Sequence, residues 1–320
     1  MDEKTRKIAR RLANKIIKEV GPAVREYAGT ELAGAEVKTG ADGTPTSFID
    51  QIAEEKIVTI LKNADVYSYL VSEEIGEVKL GKGTKRRINL TQELKRTDLK
   101  EDETPKFIFL IDPVDGTTNA IKKIPAYAIS IAIADVNQGR VATINDVELG
   151  FLYNLANGNF FEAEKGKGCK LNNKKVKPSN VIKVNQMTLG GFTKSGTSEA
   201  SKLVDSARRM RVLGSVVLEL SYVASGKYDA FLDLRGSRII DIAAGKLILE
   251  EAGGIITDKY GQKLNNVLSI YEKAIVVAAN NEIMHKQMID ILNDNQADII
   301  GKIGIISRID QTHQSYLPQE

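Results

Sequence analysis

Asp112-Pro113-Val114-Asp115-Gly116-Thr117-Thr118-Asn119 sets two carboxylates, a glycine and two hydroxyls directly behind Phe107-Ile108-Phe109-Leu110-Ile111, an unbroken apolar run. A run of branched and aromatic residues with no polar alternation reads as a strand buried on both faces. Carboxylates at the end of such a strand lose hydration and repel each other, so they need a positive partner between them. A divalent cation with hard oxygen ligands meets that need, magnesium above all. Two further acidic positions stand in similar settings. Glu73-Glu74 follows the stretch Tyr67 to Val71, and Asp241 opens Asp241-Ile242-Ala243-Ala244-Gly245. Taken alone, Asp241 has the position of a helix N-cap. Taken together, carboxylates gathered at one sheet edge demand cations. Two magnesium ions about 4 Å apart are one solution, suited to phosphate ester hydrolysis: one ion acidifies a water and the other stabilises the leaving oxygen. Gly116-Thr117-Thr118 would offer backbone N–H groups and hydroxyls to a phosphate at a helix start.

The elements that must position these groups can be read from periodicity. Ile8, Leu12, Ile16, Ile17, Val20 and Val24 recur at helical spacing over residues 4 to about 28, with Pro22 expected to kink or divide the helix. Lys38 to Thr46 is dense in turn formers, and Phe48 to Leu61 is again helical. Tyr67 to Val71 is a short strand. Residues 77–106, rich in Lys, Arg and Glu, read as a solvated insertion or hairpin. Beyond the central motif, Ala126 to Val136, Val147 to Asn154 and Gly158 to Ala163 are strand-like. Val184 to Phe192 opens a second α/β half, followed by a helix over Gly214 to Ala224 and a strand over Ala230 to Leu234. A helix over Ile242 to Glu251, closed by Gly253-Gly254, precedes a last strand, Ala274 to Ala279. The expectation is a layered α/β architecture in two halves, 1–183 and 184–293, with the site between them and a polar tail over 294–320.

Composition narrows the function. Hydrophobic residues make up 42% of 320, enough for a large core. Lys+Arg 45 against Asp+Glu 42 leaves a net charge of +3, which gives no electrostatic case for nucleic acid or a membrane surface. No apolar run approaches a membrane span, and the N-terminus lacks a secretory apolar region. The single Cys169 excludes an intramolecular disulfide and fits a reducing cytoplasm. His285 and His313, the only histidines, both lie in the polar C-terminal region, so zinc chemistry or a Ser-His-Asp triad is not expected.

In order and spacing, Glu73-Glu74, Asp112 to Asn119, and Asp241 to Gly245 with Glu251-Ala252-Gly253-Gly254 resemble the inositol monophosphatase family. That family lies within the wider lithium-sensitive, magnesium-dependent sugar phosphatase superfamily. The resemblance covers roughly residues 5 to 285 and looks closest to archaeal-type members acting on both fructose 1,6-bisphosphate and inositol monophosphate. It implies alternating αβαβα layers and two or three magnesium ions per site. Glu73 and Asp112, with the Val114 carbonyl, would hold the first ion; Asp112, Asp115 and Asp241 the second. A third ion would sit near Glu73. Thr117 with Glu73 would orient the attacking water, and the Gly116 and Thr117 amides would hold phosphate oxygens. Gly214, Ser215, Asp233 and Arg235 would line the sugar or inositol side. The segment Lys38 to Thr46 matches the family's mobile loop. A cytoplasmic homodimer or homotetramer acting on a small-molecule phosphate ester is likewise implied.

Some features depart from the family. Residues 77–106 are longer than its usual link, and Ile240 stands where a tryptophan is common. Arg235 and Arg238 together could clamp a second phosphate, favouring a bisphosphate, or could be ordinary surface charges. A haloacid-dehalogenase-type phosphatase needs two aspartates separated by one residue, whereas Asp112 and Asp115 have two between them. A 3′-phosphoadenosine 5′-phosphate or NADP phosphatase of the same superfamily is the nearest alternative. A catalytically silent regulatory homologue would have lost one of Glu73, Asp112, Asp115, Thr117 or Asp241, and all are present.

Overall fold

The apolar run before the motif forms the strand Phe107–Asp115, buried at every position in a computed structural model that describes residues 1–137, 139–192 and 200–293. This strand lies inside a nine-stranded sheet of spatial order 174–175, 168–171, 160–164, 147–154, 128–135, 107–115, 68–72, 76–81 and 84–87. Its pairing with Ser68–Ser72 is parallel, with Ser72 opposite Ile111. The next residues, Glu73 and Asp112, therefore leave the sheet side by side at the same edge. Against Ala128–Asp135 the strand is antiparallel, Asp112 facing Ser130 and Asp115 facing Ala128. Three steps on one strand against two on its neighbour define a bulge, and Pro113, which has no N–H to contribute to a ladder, sits within it. In a regular strand, positions 112 and 115 would point to opposite faces. The extra residue restores the parity and turns both carboxylates the same way.

The two faces of the sheet bury different helices. Phe107, Phe109 and Ile111 join the core built by the helices Glu3–Tyr27 and Phe48–Lys62. Ile108 and Leu110 join the core of the helices Val216–Ala224 and Ile239–Ala252. These two central helices are apolar nearly all round, as sandwiched helices must be. Their far side is covered by a five-stranded sheet of order 209–211, 188–192, 230–238, 273–279 and 255–257. Phe231, Val276 and Ala278 face the central helices. Ala230, Leu232, Val277 and Ala279 face an outer layer with Leu203, Met284 and Met288. The succession is helix, sheet, helix, sheet, helix, the layered α/β arrangement expected.

Several elements differ from their sequence reading. Pro22 does not divide the first helix, which runs unbroken from Glu3 to Tyr27; burial of Val20 and Val24 on the same face outweighs one missing amide. Residues 77–106 are less solvated than their charge suggests. They form a hairpin, Gly76–Gly81 with Thr84–Arg87, that extends the large sheet, and a short helix, Leu90–Leu94, whose two leucines are buried. Lys38 to Thr46 is not a plain loop but the end of a hairpin, Glu36–Thr39 with Pro45–Ser47. His285 is buried and bonded to the Thr257 hydroxyl at 2.8 Å, a structural role. The tail from 294 and His313 lie outside the described residues. Among those, no helix is long and apolar enough to cross a membrane.

Candidate active site

Glu73, Asp112, Asp115 and Asp241 lie near the edge where the two parallel strands end, and Asp115, Asp241 and Glu73 all act electrostatically on the Asp112 carboxyl. Asp241 is not the N-cap of its helix: the helix begins at Ile239 after Arg238, and Asp241 is its third residue. The carboxylate therefore points off the first turn, favoured by the helix dipole. Asp112 is 3% exposed. Burial, then the neighbouring Asp115, Asp241 and Glu73, hold its carboxyl well above the usual range. Burial and Asp241 push Asp115 up to about 7, and burial does the same to Glu73. Burial also raises Asp241, against the pull of Arg238.

Local bonds fix these side chains. Asp112 Oδ1 accepts from the Val114 amide at 3.0 Å across the bulge. Asp115 Oδ2 accepts from the Ser215 hydroxyl and the Val217 amide, each at 2.7 Å. Ser215 also caps the helix Val216–Ala224. Fully buried, with its hydroxyl spent on the cap and on Asp115, Ser215 stands behind a carboxylate rather than on the sugar side where the sequence put it. Gly116 adopts φ +92°, and a Cβ there would meet the Ala126 carbonyl at 2.7 Å. It therefore opens the short helix Thr117–Ile121 in a conformation few other residues hold. Gly214, at φ +85°, packs on Asn119. The Asn119 amide donates to the Ala126 and Leu213 carbonyls at 2.8 and 2.7 Å, tying the 213–215 turn to the motif.

Asp50 was not singled out in the sequence. Thr117 Oγ1 lies 3.0 Å from both Asp50 Oδ1 and the Val114 carbonyl. The Ser47 hydroxyl donates to Asp50 Oδ2 at 2.6 Å, and burial raises the Asp50 carboxyl. The only sequence signal was Ser47 with an acid three residues on, which reads as an ordinary helix start.

The arginines separate. Asp233 is fully buried and holds Arg235 through the backbone amide at 2.8 Å and the guanidinium at 3.1 and 3.2 Å. The Arg235 guanidinium lies over the Phe192 ring, 3.7 Å from its centroid, with the side chain 43% exposed. Arg238 turns the other way, into the carboxylates, where it meets Asp42, Glu73 and Asp241. The two arginines therefore do not form a clamp. Asp233, which also accepts from the Ser237 hydroxyl, serves to hold Arg235 rather than to face a sugar.

One guanidinium among the three buried carboxylates of Asp112, Asp115 and Asp241 and the partly buried Glu73 leaves a deficit of positive charge, and Asp241 Oδ1 has no hydrogen-bond partner among the described residues. Among the described residues no three acidic, histidine or cysteine side chains are placed together to hold an ion; Arg238 bridges Glu73 and Asp241. The acidic donors are all hard oxygens, which suit a hard metal cation rather than a soft one.

Comparison with known proteins gives the family and the fold. The sequence profile of the inositol monophosphatase family matches residues 5–297. A fructose-1,6-bisphosphatase/inositol-1-monophosphatase of Methanothermobacter thermautotrophicus is 41% identical over 89% of this chain and 95% of its own length. A bifunctional NADP phosphatase/NAD kinase of Methanococcus maripaludis is 35% identical over 93% of this chain, which spans 52% of that protein. The solved structure of a Pyrococcus horikoshii protein described as similar to inositol-1 monophosphatase superimposes with a TM-score of 0.71 at 28% identity, covering 89% of this chain and 98% of that one. The chain belongs to the inositol monophosphatase family and is a phosphoric monoester hydrolase.

Proposed function

We propose that the protein hydrolyses sugar and inositol phosphates, fructose 1,6-bisphosphate and inositol 1-phosphate in particular, with magnesium. The observation that carries this reading is the bulge that turns Asp112 and Asp115 to one side, beside Glu73 and Asp241. Glu73, Asp112, Asp115, Asp241 and the Val114 carbonyl would hold two or three magnesium ions. Held there, they would supply charge neutralisation for the phosphate and lower the pKa of a water. The chain's own residues do the positioning. Asp50 Oδ1 accepts the Thr117 hydroxyl hydrogen, which leaves a Thr117 lone pair to accept from the attacking water and aim it in line with the leaving oxygen. Gly116 and Thr117 amides hold phosphate oxygens, and Arg235 faces the rest of the substrate. In this reading water is the nucleophile, so attack inverts configuration at phosphorus.

The likeness to an NADP phosphatase favours a second reading within the same chemistry. A panel of fructose 1,6-bisphosphate, inositol 1-phosphate, 3′-phosphoadenosine 5′-phosphate and NADP, assayed with and without magnesium, decides between them. Magnesium-dependent phosphate release fastest from the sugar and inositol esters is expected. Preference for NADP would establish the second reading, and silence on every ester would overturn both.

A further inference from the structure

Glu219 lies in the first turn of the helix Val216–Ala224, where an acidic side chain favours the helix dipole and ordinarily stays in solvent. This one is fully buried. Its Oε1 reaches back past the cap residue Ser215 and accepts from the Leu213 amide at 2.8 Å. A capping box would end at the amide of the cap residue itself. The same Leu213 peptide is held from its other side, its carbonyl accepting from the Asn119 side chain at 2.7 Å. Gly190, on the strand 188–192, makes room for the carboxyl. A Cβ there would stand 2.7 Å from Glu219 Oε2 and 2.6 Å from the Tyr228 ring. Burial pushes the Glu219 carboxyl up to about 7, against the pull of the Leu213, Gly214 and Gly191 amides. The residues after Leu213 give this grip its consequence. Gly214 adopts φ +85°, and a glycine leaves the chain freer to turn than any other residue. Next in the chain, the Ser215 hydroxyl and the Val217 amide both donate to Asp115 Oδ2 at 2.7 Å. Two donors on one oxygen set the plane of the carboxylate, and with it the direction of Oδ1.

We propose that Glu219 is a positioning residue of the active site, acting through Asp115. It fixes the Leu213 peptide, which takes up the freedom of Gly214 and delivers Ser215 and Val217 to Asp115 at one angle. Supports of this kind, one shell behind a metal ligand, typically change metal affinity or activity by about ten- to hundredfold when removed. The inference rests on the reading of Asp115 as a metal ligand.

Two measurements on the full chain test it, neither using turnover. Val223→Ala, a truncation of a fully buried side chain at the other end of the same helix, controls for lost packing. In hydrogen exchange of the metal-free proteins, the segment 213–217 is expected to exchange about tenfold faster or more in Glu219→Ala than in wild type. Glu219→Gln, whose amide oxygen still accepts from Leu213, should exchange there as wild type does. Unchanged protection in Glu219→Ala overturns the grip on the turn. In calorimetric titration with magnesium chloride, Glu219→Ala is expected to bind about tenfold more weakly or worse, with Glu219→Gln and Val223→Ala within about threefold of wild type. Wild-type affinity in Glu219→Ala, a loss matched by Val223→Ala, or a loss in Glu219→Gln as large as in Glu219→Ala overturns the positioning role. If Glu219→Ala does not fold, Glu219→Asp replaces it, keeping the carboxyl but drawing it one carbon back from Leu213; wild-type behaviour in both measurements then overturns the proposal. If wild type takes up no magnesium, the reading of Asp115 as a metal ligand fails, while exchange over 213–217 still decides whether Glu219 fixes the turn.

Discussion

The Thr117 hydroxyl oxygen lies 3.0 Å from Asp50 Oδ1, joining the helix that follows the aspartate motif to the helix that follows the hairpin. Asp50 is itself held by the Ser47 hydroxyl and largely withdrawn from water. A hydroxyl tied in this way has its hydrogen directed at the carboxylate and its lone pair left for a water. The pair should therefore act as a unit. Asp50→Asn and Thr117→Ala are each expected to lower kcat by about 10²–10³-fold with KM changed by less than about threefold. The double variant should fall little further than either single one. Steady-state kinetics on the best ester of the panel check this, and a fully active Asp50→Asn would remove the pair from the mechanism.

Asp112→Asn should have two opposite effects. The amide keeps an oxygen for the Val114 N–H bond but removes one charge from a cluster whose members raise one another. Turnover and magnesium-dependent stabilisation should both be lost. The metal-free variant should nonetheless melt higher than metal-free wild type, by about 3 °C, because a buried like-charge repulsion has been relieved. Calorimetric scans with and without magnesium read both effects. A metal-free variant that melts lower would mean that Asp112 is stabilised in the apo fold by something other than a metal.

How far the sequence carried these conclusions depended on the physics at each position. Asp112 and Asp115 were legible because two carboxylates behind an apolar strand conflict with burial and need a cause. Their alignment was not legible, since the bulge appears only when Asp112 and Asp115 are set against Ser130 and Ala128. Asp50 was hidden because Ser47-x-x-Asp50 satisfies a helix start by itself, so no residual conflict pointed elsewhere. Arg238 was read with Arg235 because they are near in sequence. Between them the strand passes Gly236 at φ +84° with an irregular register, and the two side chains part. The helices and strands were legible from period alone, whereas the unbroken first helix depended on tertiary packing around Pro22.

Arg235 should select between substrates. Its guanidinium is fixed over Phe192 and braced by the buried Asp233, yet it remains half exposed. A braced arginine binds a second phosphate with little further loss of side-chain freedom. A hydrogen bond to a charged group contributes about 1.5–3 kcal/mol, or roughly ten- to hundredfold in affinity. Arg235→Gln should therefore raise KM for fructose 1,6-bisphosphate by about tenfold or more, with inositol 1-phosphate changed less than about twofold. An equal change for both substrates would place Arg235 outside second-phosphate recognition.

Glu54 makes stability depend on pH independently of the metal. Its Oε2 accepts from the Ser72 hydroxyl at 2.6 Å, while Oε1 is buried with no hydrogen-bond partner among the described residues. Burial pushes its carboxyl from an ordinary 4.5 up to about 7. Between those values the folded chain keeps a proton that the unfolded chain has released. The Glu54 contribution to stability is then most favourable below about 4.5 and is lost as pH rises towards 7. A rise of this size corresponds to on the order of 3 kcal/mol. Glutamine has nearly the same shape and no proton to lose. In urea denaturation of the metal-free proteins, Glu54→Gln should match wild type near pH 4.5 and exceed it by an amount of that order at pH 8. Glu219, also buried and raised to about 7, keeps part of the same slope in the variant. A difference between Glu54→Gln and wild type that stayed constant with pH would show that Glu54 is charged in the fold, with a cation or donor beside Oε1.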